Sequence, residues 1–199
     1  MARCGPDDGE LREARRRLAC FLSGETSERL FRHPTGHPAR GTGFCYCDRS
    51  LLAAVGICLR GGLLELVLRL PFNRPKLWLL RRLGAEIGEH VYISAGAWID
   101  PVYPQLLTIE DEVVVGVGAR VFTHEFRRDE FVAGRVTFRR GAIIGAHSLI
   151  GCGVEIGEDA TVAPAAAVAR DVPARCTALG NPARIVRQQE GHASGRSGV

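Results

Sequence analysis

The sequence predicts an all-β solenoid of short flat strands, and three observations predict it. Aliphatic or aromatic residues fall on a six-residue beat: Ile87, Ile93, Ile99, then Ile109, Val115, Val121, then Phe138, Ile144, Ile150, Ile156, Val162, Val168. Four places after most of them stands a small or β-branched residue, as at Val91, Ala97, Ala119, Ser148 and Ala160. The beat fails twice, after Ile99 and after Val121, and resumes at Ile109 and at Phe138. Six residues match neither the 3.6 of a helix nor the 2 of a lone strand. They match a coil in which each short strand sends one side chain to a shared axis.

The stretches before the beat divide in two. Residues 1–50 form an N-terminal extension, expected to be partly disordered. Within it Glu10–Leu22 can form a short helix with Arg12, Arg15, Arg16 and Arg17 on its polar side, and HPTGHPARGTG has loop composition. His33 and His37 are four apart, but Pro34 and Pro38 forbid a helix that would present them together to a metal. Residues 51–83 are apolar but interrupted by Arg60, Glu65 and Arg69, so they are not a spanning helix. Leu63, Leu66, Val67 and Leu70 recur at helical spacing until Pro71. Leu77, Leu80 and Leu83 form a second short face beside Lys76, Arg81 and Arg82. This segment is read as a helical cap over the open first coil; the alternative is an interfacial helix lying on anionic lipid.

The solenoid then spans residues 84–187, with regular coils from Ile87 to Val172. Its two failures insert residues, the second the longer, in HEFRRDEFVAGRV. Excursions from a rigid repeat commonly carry the binding face. After Pro173, RCTALGNPARIVRQQ is expected to leave the coil as a short C-terminal extension, with residues 188–199 a disordered tail.

Composition sets outer limits. Of 199 residues 46% are hydrophobic, enough for a core. The net charge of +4 comes without any nucleic-acid-binding signature. Seven cysteines include no C-x-x-C pair, which suits reduced thiols in a cytoplasm. The first residues have acids and no apolar core, unlike a secretory signal. No glycine-rich phosphate loop precedes the coil, so a nucleotidyltransferase fusion is excluded.

With IGEHVY, VGVGAR, IGAHSL, IGCGVE and IGEDAT in view, residues 84–187 resemble the hexapeptide-repeat acyltransferases. The lead-in LPFNRPKLWLLRRLGAEIGEHVYI and the closing VARDVPARCTALGNPARIVR are similar to their sugar O-acetyltransferase branch. The resemblance implies a left-handed parallel β-helix and a homotrimer with sites between subunits. It also implies acetyl-CoA as acyl donor, a small hydroxyl acceptor such as a carbohydrate, and no metal. It makes His124, at the end of VVVGVGARVFTH, the general base, and an imidazole suits that task because it titrates near neutrality. It puts Asp100 and Glu125 near the acceptor, with loop 125–137 shaping the pocket. It puts Arg170, Arg184 and Arg187 on the coenzyme A phosphates, and Ala146 and Ala169 along the pantetheine arm. Arginine forks fit such phosphates. The chain departs from the branch at ISAGAWID, which lacks the acceptor-binding Asn.

Two other readings stay open. His90, His124 and His147 share the fourth place of their hexapeptides, which raises a γ-carbonic-anhydrase-like zinc enzyme. Counting rungs puts the three on different faces, against convergence on one metal. A non-catalytic trimeric scaffold is the other reading. A weak association with the inner membrane face is compatible with the enzyme.

Overall fold

The computed structural model describes residues 8–35 and 51–187. The expectations for Cys4, His37, Cys45, Cys47 and the 188–199 tail fall outside the described residues.

Helices α1 (Asp8–Ser23), α2 (Leu51–Arg69) and α3 (Asn73–Arg82) and strand β1 (Leu30–Pro34) precede the coil. The coil visits three parallel sheets in turn. The first face stacks β2 (Glu86–Ile87), β5 (Leu107–Ile109), β10 (Val136–Phe138) and β13 (Glu155–Ile156). The second stacks β3 (Tyr92–Ile93), β6 (Val114–Val115), β11 (Ile143–Ile144), β14 (Thr161–Val162) and β16 (Cys176–Leu179). The third stacks β4 (Trp98–Ile99), β7 (Arg120–Val121), β12 (Leu149–Ile150) and β15 (Ala167–Val168). β8 (His124–Phe126) and β9 (Glu130–Gly134) lie outside these faces.

The beat explains the stacking. In each two-residue strand the second side chain turns inward, so equivalent residues pair in register: Ile93 on Val115, Val115 on Ile144, Ile144 on Val162. All are buried, as are the residues four places on, including Val113, Ala119, Ala142 and Ala160. The fourth place makes the corner. It is left-handed at His90, Gly96, Glu112, Gly118, Gly141, His147, Gly153, Asp159 and Ala165. The glycine after the aliphatic residue meets the next coil: a Cβ on Gly116 would lie 2.6 Å from the Ala146 nitrogen.

The first coil is closed by α2 and α3. Leu64, Leu68, Leu79 and Leu80 join the same apolar core as Ile93 and Ile99. The free edge of β3 is saturated by side chains of α3: Asn73 Nδ2 donates to the Val91 carbonyl (2.7 Å) and its Oδ1 accepts from Ile93 N–H (3.0 Å). Buried Lys76 Nζ donates to the Ile93 carbonyl at 2.8 Å. Burial lowers that amine's pKa from its ordinary value. Covering a strand edge this way blocks further pairing.

The C-terminal segment corrects an expectation. Residues 176–179 do not leave the coil; β16 adds a rung to the second face, with Ala178 buried against Val162. Then β17 (Arg184–Arg187) folds back antiparallel on it. The sequence hid this because the step from Val168 to Val172 is four residues instead of six, so the beat appears to stop.

A second core lies outside the coil. β1 pairs antiparallel with β9, which pairs with β8. Phe21 and Leu18 of α1 and Phe31 of β1 pack with Tyr103, Leu106 and Phe131 from the two excursions. Arg135 ties the layers: its guanidinium lies 4.8 Å from the Phe21 ring centroid and donates to the Phe21 carbonyl (2.6 Å). The extension's described part thus roofs both excursions. Strand β1 takes in His33 and Pro34, the first residues of the stretch read as loop.

Candidate active site

Ile99 pairs with Val121 on the third face, one coil apart. Both excursions therefore leave from the same corner, one directly above the other. The turn after Ile99 opens into residues 100–106 and the turn after Val121 opens into β8 and β9. Only the turn after Ile150 keeps the regular left-handed residue there, at Gly153. The coil's irregularity is concentrated along one edge.

That edge brings Asp100 and His124 together. His124 Nδ1 is hydrogen-bonded to Asp100 Oδ2. Oδ2 also accepts from Thr123 N–H (3.1 Å) and Thr123 Oγ1 (2.8 Å), and Oδ1 accepts from Val102 N–H (2.9 Å). Asp100 has no exposed surface, whereas the His124 side chain is 15% exposed. Burial would raise the Asp100 pKa, but the bonds from His124, Val102 and Thr123 outweigh it and hold the carboxyl below its ordinary value. An ionised carboxylate only accepts, so it fixes the proton on Nδ1 and leaves the lone pair on Nε2. Asp100 was expected at the acceptor. Its oxygens are turned inward, toward His124, Thr123 and the Val102 N–H.

Aromatic rings hold the imidazole. Tyr103 and Phe126 meet it edge-on with centroids at 5.6 and 5.7 Å, and Phe131 lies at 6.0 Å. Tyr103 and Phe131 are buried and Phe126 is exposed, so the ring has two fixed walls and one facing solvent. Glu125 points away from His124, as alternation along β8 requires. It accepts from Arg127 Nε (2.7 Å), and Arg127 also reaches Glu130 (3.2 Å) at the hairpin end.

The coil below contributes Cys152, whose Sγ donates to the Thr123 carbonyl at 3.4 Å. Burial, then the charge of Glu125, pushes this thiol up to about 12, so it stays protonated at neutral pH. A protonated thiol is a poor acyl acceptor. It supports Thr123 from beneath.

The remaining candidates lie along two edges. Ala169 and Arg170 follow β15 on the same edge as His124, and both are exposed. Ala146 sits at the corner between the second and third faces, where its carbonyl accepts from Ala165 N–H (2.8 Å). Arg184 stands opposite Leu179, and the preceding Ala183 N–H donates to Ala167 (2.9 Å). Arg187 lies at the far end of β17, opposite Cys176. Within one chain, Ala146 and His124 occupy opposite edges of the third face. His90 and His147 sit at two further corners, each as the left-handed residue.

Counting rungs could have found the Asp100 partnership: Ile99 is the third and Val121 the sixth, and rungs three apart share a face. No sequence signal marks Tyr103, Thr123 or Phe131 as walls of a site.

No family model matches the sequence. The chain is 30% identical over 121 residues to the putative acetyltransferase YvoF of Bacillus subtilis (strain 168), covering 60% of this chain and 70% of that protein. It is 28% identical over 135 residues to the galactoside O-acetyltransferase of Escherichia coli (strain K12), 55% of this chain and 66% of the relative. Among solved structures, the hexapeptide-repeat acetyltransferase VCA0836 of Vibrio cholerae, complexed with acetyl coenzyme A, superposes with a TM-score of 0.57. That match has 23% identity and covers 69% of this chain and 90% of that one. A galactoside acetyltransferase in complex with coenzyme A gives 0.55 at 18% identity, over 74% and 87% of the two chains. With a three-faced coil, its six-residue beat and these relatives, the chain belongs to the hexapeptide-repeat acetyltransferases.

Proposed function

We propose that the protein transfers the acetyl group of acetyl-CoA to a hydroxyl of a carbohydrate or related small molecule, with His124 as general base. The observation that carries this reading is the buried Asp100 carboxylate bonded to Nδ1 of a partly exposed His124 at the broken corner. Nε2 takes the proton of the acceptor hydroxyl as its oxygen attacks the thioester carbonyl. The tetrahedral oxyanion, of a kind that backbone N–H groups stabilise, collapses to the ester. The coenzyme A thiolate leaves and takes the proton back from His124. Asp100 stabilises the imidazolium between these steps. The high pKa of Cys152 supports direct transfer over a cysteine acyl-enzyme.

Arg170, Arg184 and Arg187 would meet the coenzyme A phosphates, and Ala146 and Ala169 the pantetheine arm. Since Ala146 and His124 lie on opposite edges, one complete site would draw on two subunits of a homotrimer whose coils wind left-handed. The second face supports such assembly: its outward residues Tyr92, Val114 and Ile143 are exposed and apolar, while the first face presents Glu86, Thr108, Thr137 and Glu155. Free Cys20, Cys58, Cys152 and Cys176 suit a cytoplasmic protein. No helix among the described residues is long and apolar enough to cross a membrane.

An amino acceptor is the second reading. A 52-residue stretch is 50% identical to the dTDP-3-amino-3,6-dideoxy-alpha-D-galactopyranose 3-N-acetyltransferase of Aneurinibacillus thermoaerophilus, over 26% of this chain and 27% of that enzyme. The test is coenzyme A release from acetyl-CoA across matched hydroxyl and amino sugars. Turnover on hydroxyl acceptors that is lost in His124→Ala supports the proposal. Turnover confined to amines replaces the acceptor, and full activity of His124→Ala overturns the mechanism.

A further inference from the structure

Helix α2 is apolar on both sides, but the coil covers only one. Ile57, Leu64 and Leu68 are buried against the coil. On the opposite side Val55, Leu59, Leu63, Leu66 and Leu70 form a stripe at helical spacing, and Leu59 is 70% and Leu66 62% exposed. Beyond the helix end Phe72 (68%) and Trp78 of α3 (60%) are exposed as well. A helix that is hydrophobic all round normally has apolar surroundings on all sides, and single exposed leucines need no account but a contiguous patch does.

Charge indicates what lies on that patch. Residues 51–83 carry six basic side chains (Arg60, Arg69, Arg74, Lys76, Arg81, Arg82) and one acid, Glu65. This exceeds the +4 of the whole chain, so the positive excess is concentrated here. Glu65 is bonded to Arg69, and no acid occurs between Arg69 and Arg82. Arg74, Arg81 and Arg82 border Trp78, and the Arg82 guanidinium lies 5.7 Å from its ring centroid. An apolar stripe followed by an amphipathic tryptophan and rimmed by arginines complements acyl chains under anionic headgroups.

The geometry points to this α2–α3 surface as a docking site for an anionic lipid bilayer, with α2 lying in the interfacial plane. The cap and the docking surface are then two sides of one helix. Docking also sets the active site close to the membrane. Arg60 of α2 donates to the carbonyls of Pro101 (3.2 Å) and Val102 (3.0 Å), the residues that follow Asp100. This inference concerns binding alone and stands whichever acceptor the enzyme uses.

The test is sedimentation of the full chain with vesicles of phosphatidylglycerol and phosphatidylcholine, against vesicles of phosphatidylcholine alone. The protein should pellet with the first and remain soluble with the second. Arg74→Gln with Arg82→Gln should lower partitioning on the order of twentyfold, about fivefold for each cation removed. Leu59→Ser with Leu66→Ser should also release it, with unchanged far-ultraviolet dichroism and unchanged transfer to a soluble acceptor. A protein that stays in the supernatant with anionic vesicles, or variants that pellet like the parent, would overturn the proposal. So would a Leu59→Ser/Leu66→Ser particle containing fewer chains, because the face would then belong to a second copy.

Discussion

His147 and His124 occupy the same fourth place of the hexapeptide, yet their surroundings share almost nothing. His147 is the left-handed residue of an intact corner (φ 56°), exposed, with its ring under Gly118. His124 stands where the corner fails to form, and the chain leaves as a strand. Its ring is held by a buried carboxylate and walled by Tyr103 and Phe131. The intact corner uses its histidine for geometry, since histidine tolerates positive φ better than most residues. The broken corner releases that constraint and gains an oriented side chain. A rigid repeat fixes where the neighbouring coil will be, so a departure on one coil meets a departure on the next with little further ordering.

The sharpest way to break this comparison is to truncate both histidines. His124→Ala should reduce kcat for coenzyme A release by about 10²–10⁴, the usual range for a lost general base. His147→Ala should leave kcat near that of the parent, because only a corner residue changes. Equal losses would mean that both act through folding.

Asp100→Asn comes next in size. The amide keeps the shape but can donate to Nδ1 and so favour the wrong tautomer, and kcat should fall by up to about 10⁴-fold with KM little changed. The same substitution should alter acid stability. The Asp100 pKa is depressed on folding, so its contribution is fully present above about pH 4, where an unfolded aspartate is ionised. It is lost as the pH falls through the lower folded value. The stability profile of Asp100→Asn should therefore be flatter than the parent's in that acid window. A retained slope would assign it to other carboxylates.

The two kinds of region also differ in how legible they are. The faces can be read from the sequence because the inward residue recurs every sixth place and each coil repeats its demand. The excursions obey no period, yet their coincidence on one edge follows from counting Ile99 and Val121 as rungs three apart. The roof is another matter. β1 meets β9 a hundred residues away, Leu30 opposite Gly134, and its sequence LFRHP shows no clean alternation and ends on proline. Its register is set by Phe31 packing on Phe21 and Phe131, which is a tertiary fact. The resemblance puts Asp100 near the acceptor, whereas its bonds to His124 and Thr123 depend on which way a carboxylate after a strand turns, and only packing shows that.

Glycine substitutions sharpen the comparison at the level of stability. At the intact corner, a Cβ on Gly116 would sit 2.6 Å from the Ala146 nitrogen, against backbone that cannot move without opening the coil. At the broken edge, a Cβ on Gly151 meets nothing closer than the Val168 oxygen at 3.2 Å. Gly116→Ala should cost about 1–3 kcal/mol in denaturant unfolding, and Gly151→Ala distinctly less. Equal costs would mean that the two edges are packed alike.

The smallest effect tests the corner rule itself. Ala165 is exposed and left-handed (φ 59°), with its N–H donating to the Ala146 carbonyl. Alanine there bears a steric cost of roughly 1–2 kcal/mol that glycine avoids. Glycine in turn gives the unfolded chain more freedom, worth about 0.4–1 kcal/mol. The steric term is the larger, so Ala165→Gly should raise Tm by about 2 °C. Ala166→Gly, one residue on, should lower it, because Ala166 is buried and is not among the positive-φ residues. Opposite signs from adjacent alanines are what a repeat of corners and rungs requires. The same sign at both would mean that the left-handed fourth place carries no strain for the fold to relieve.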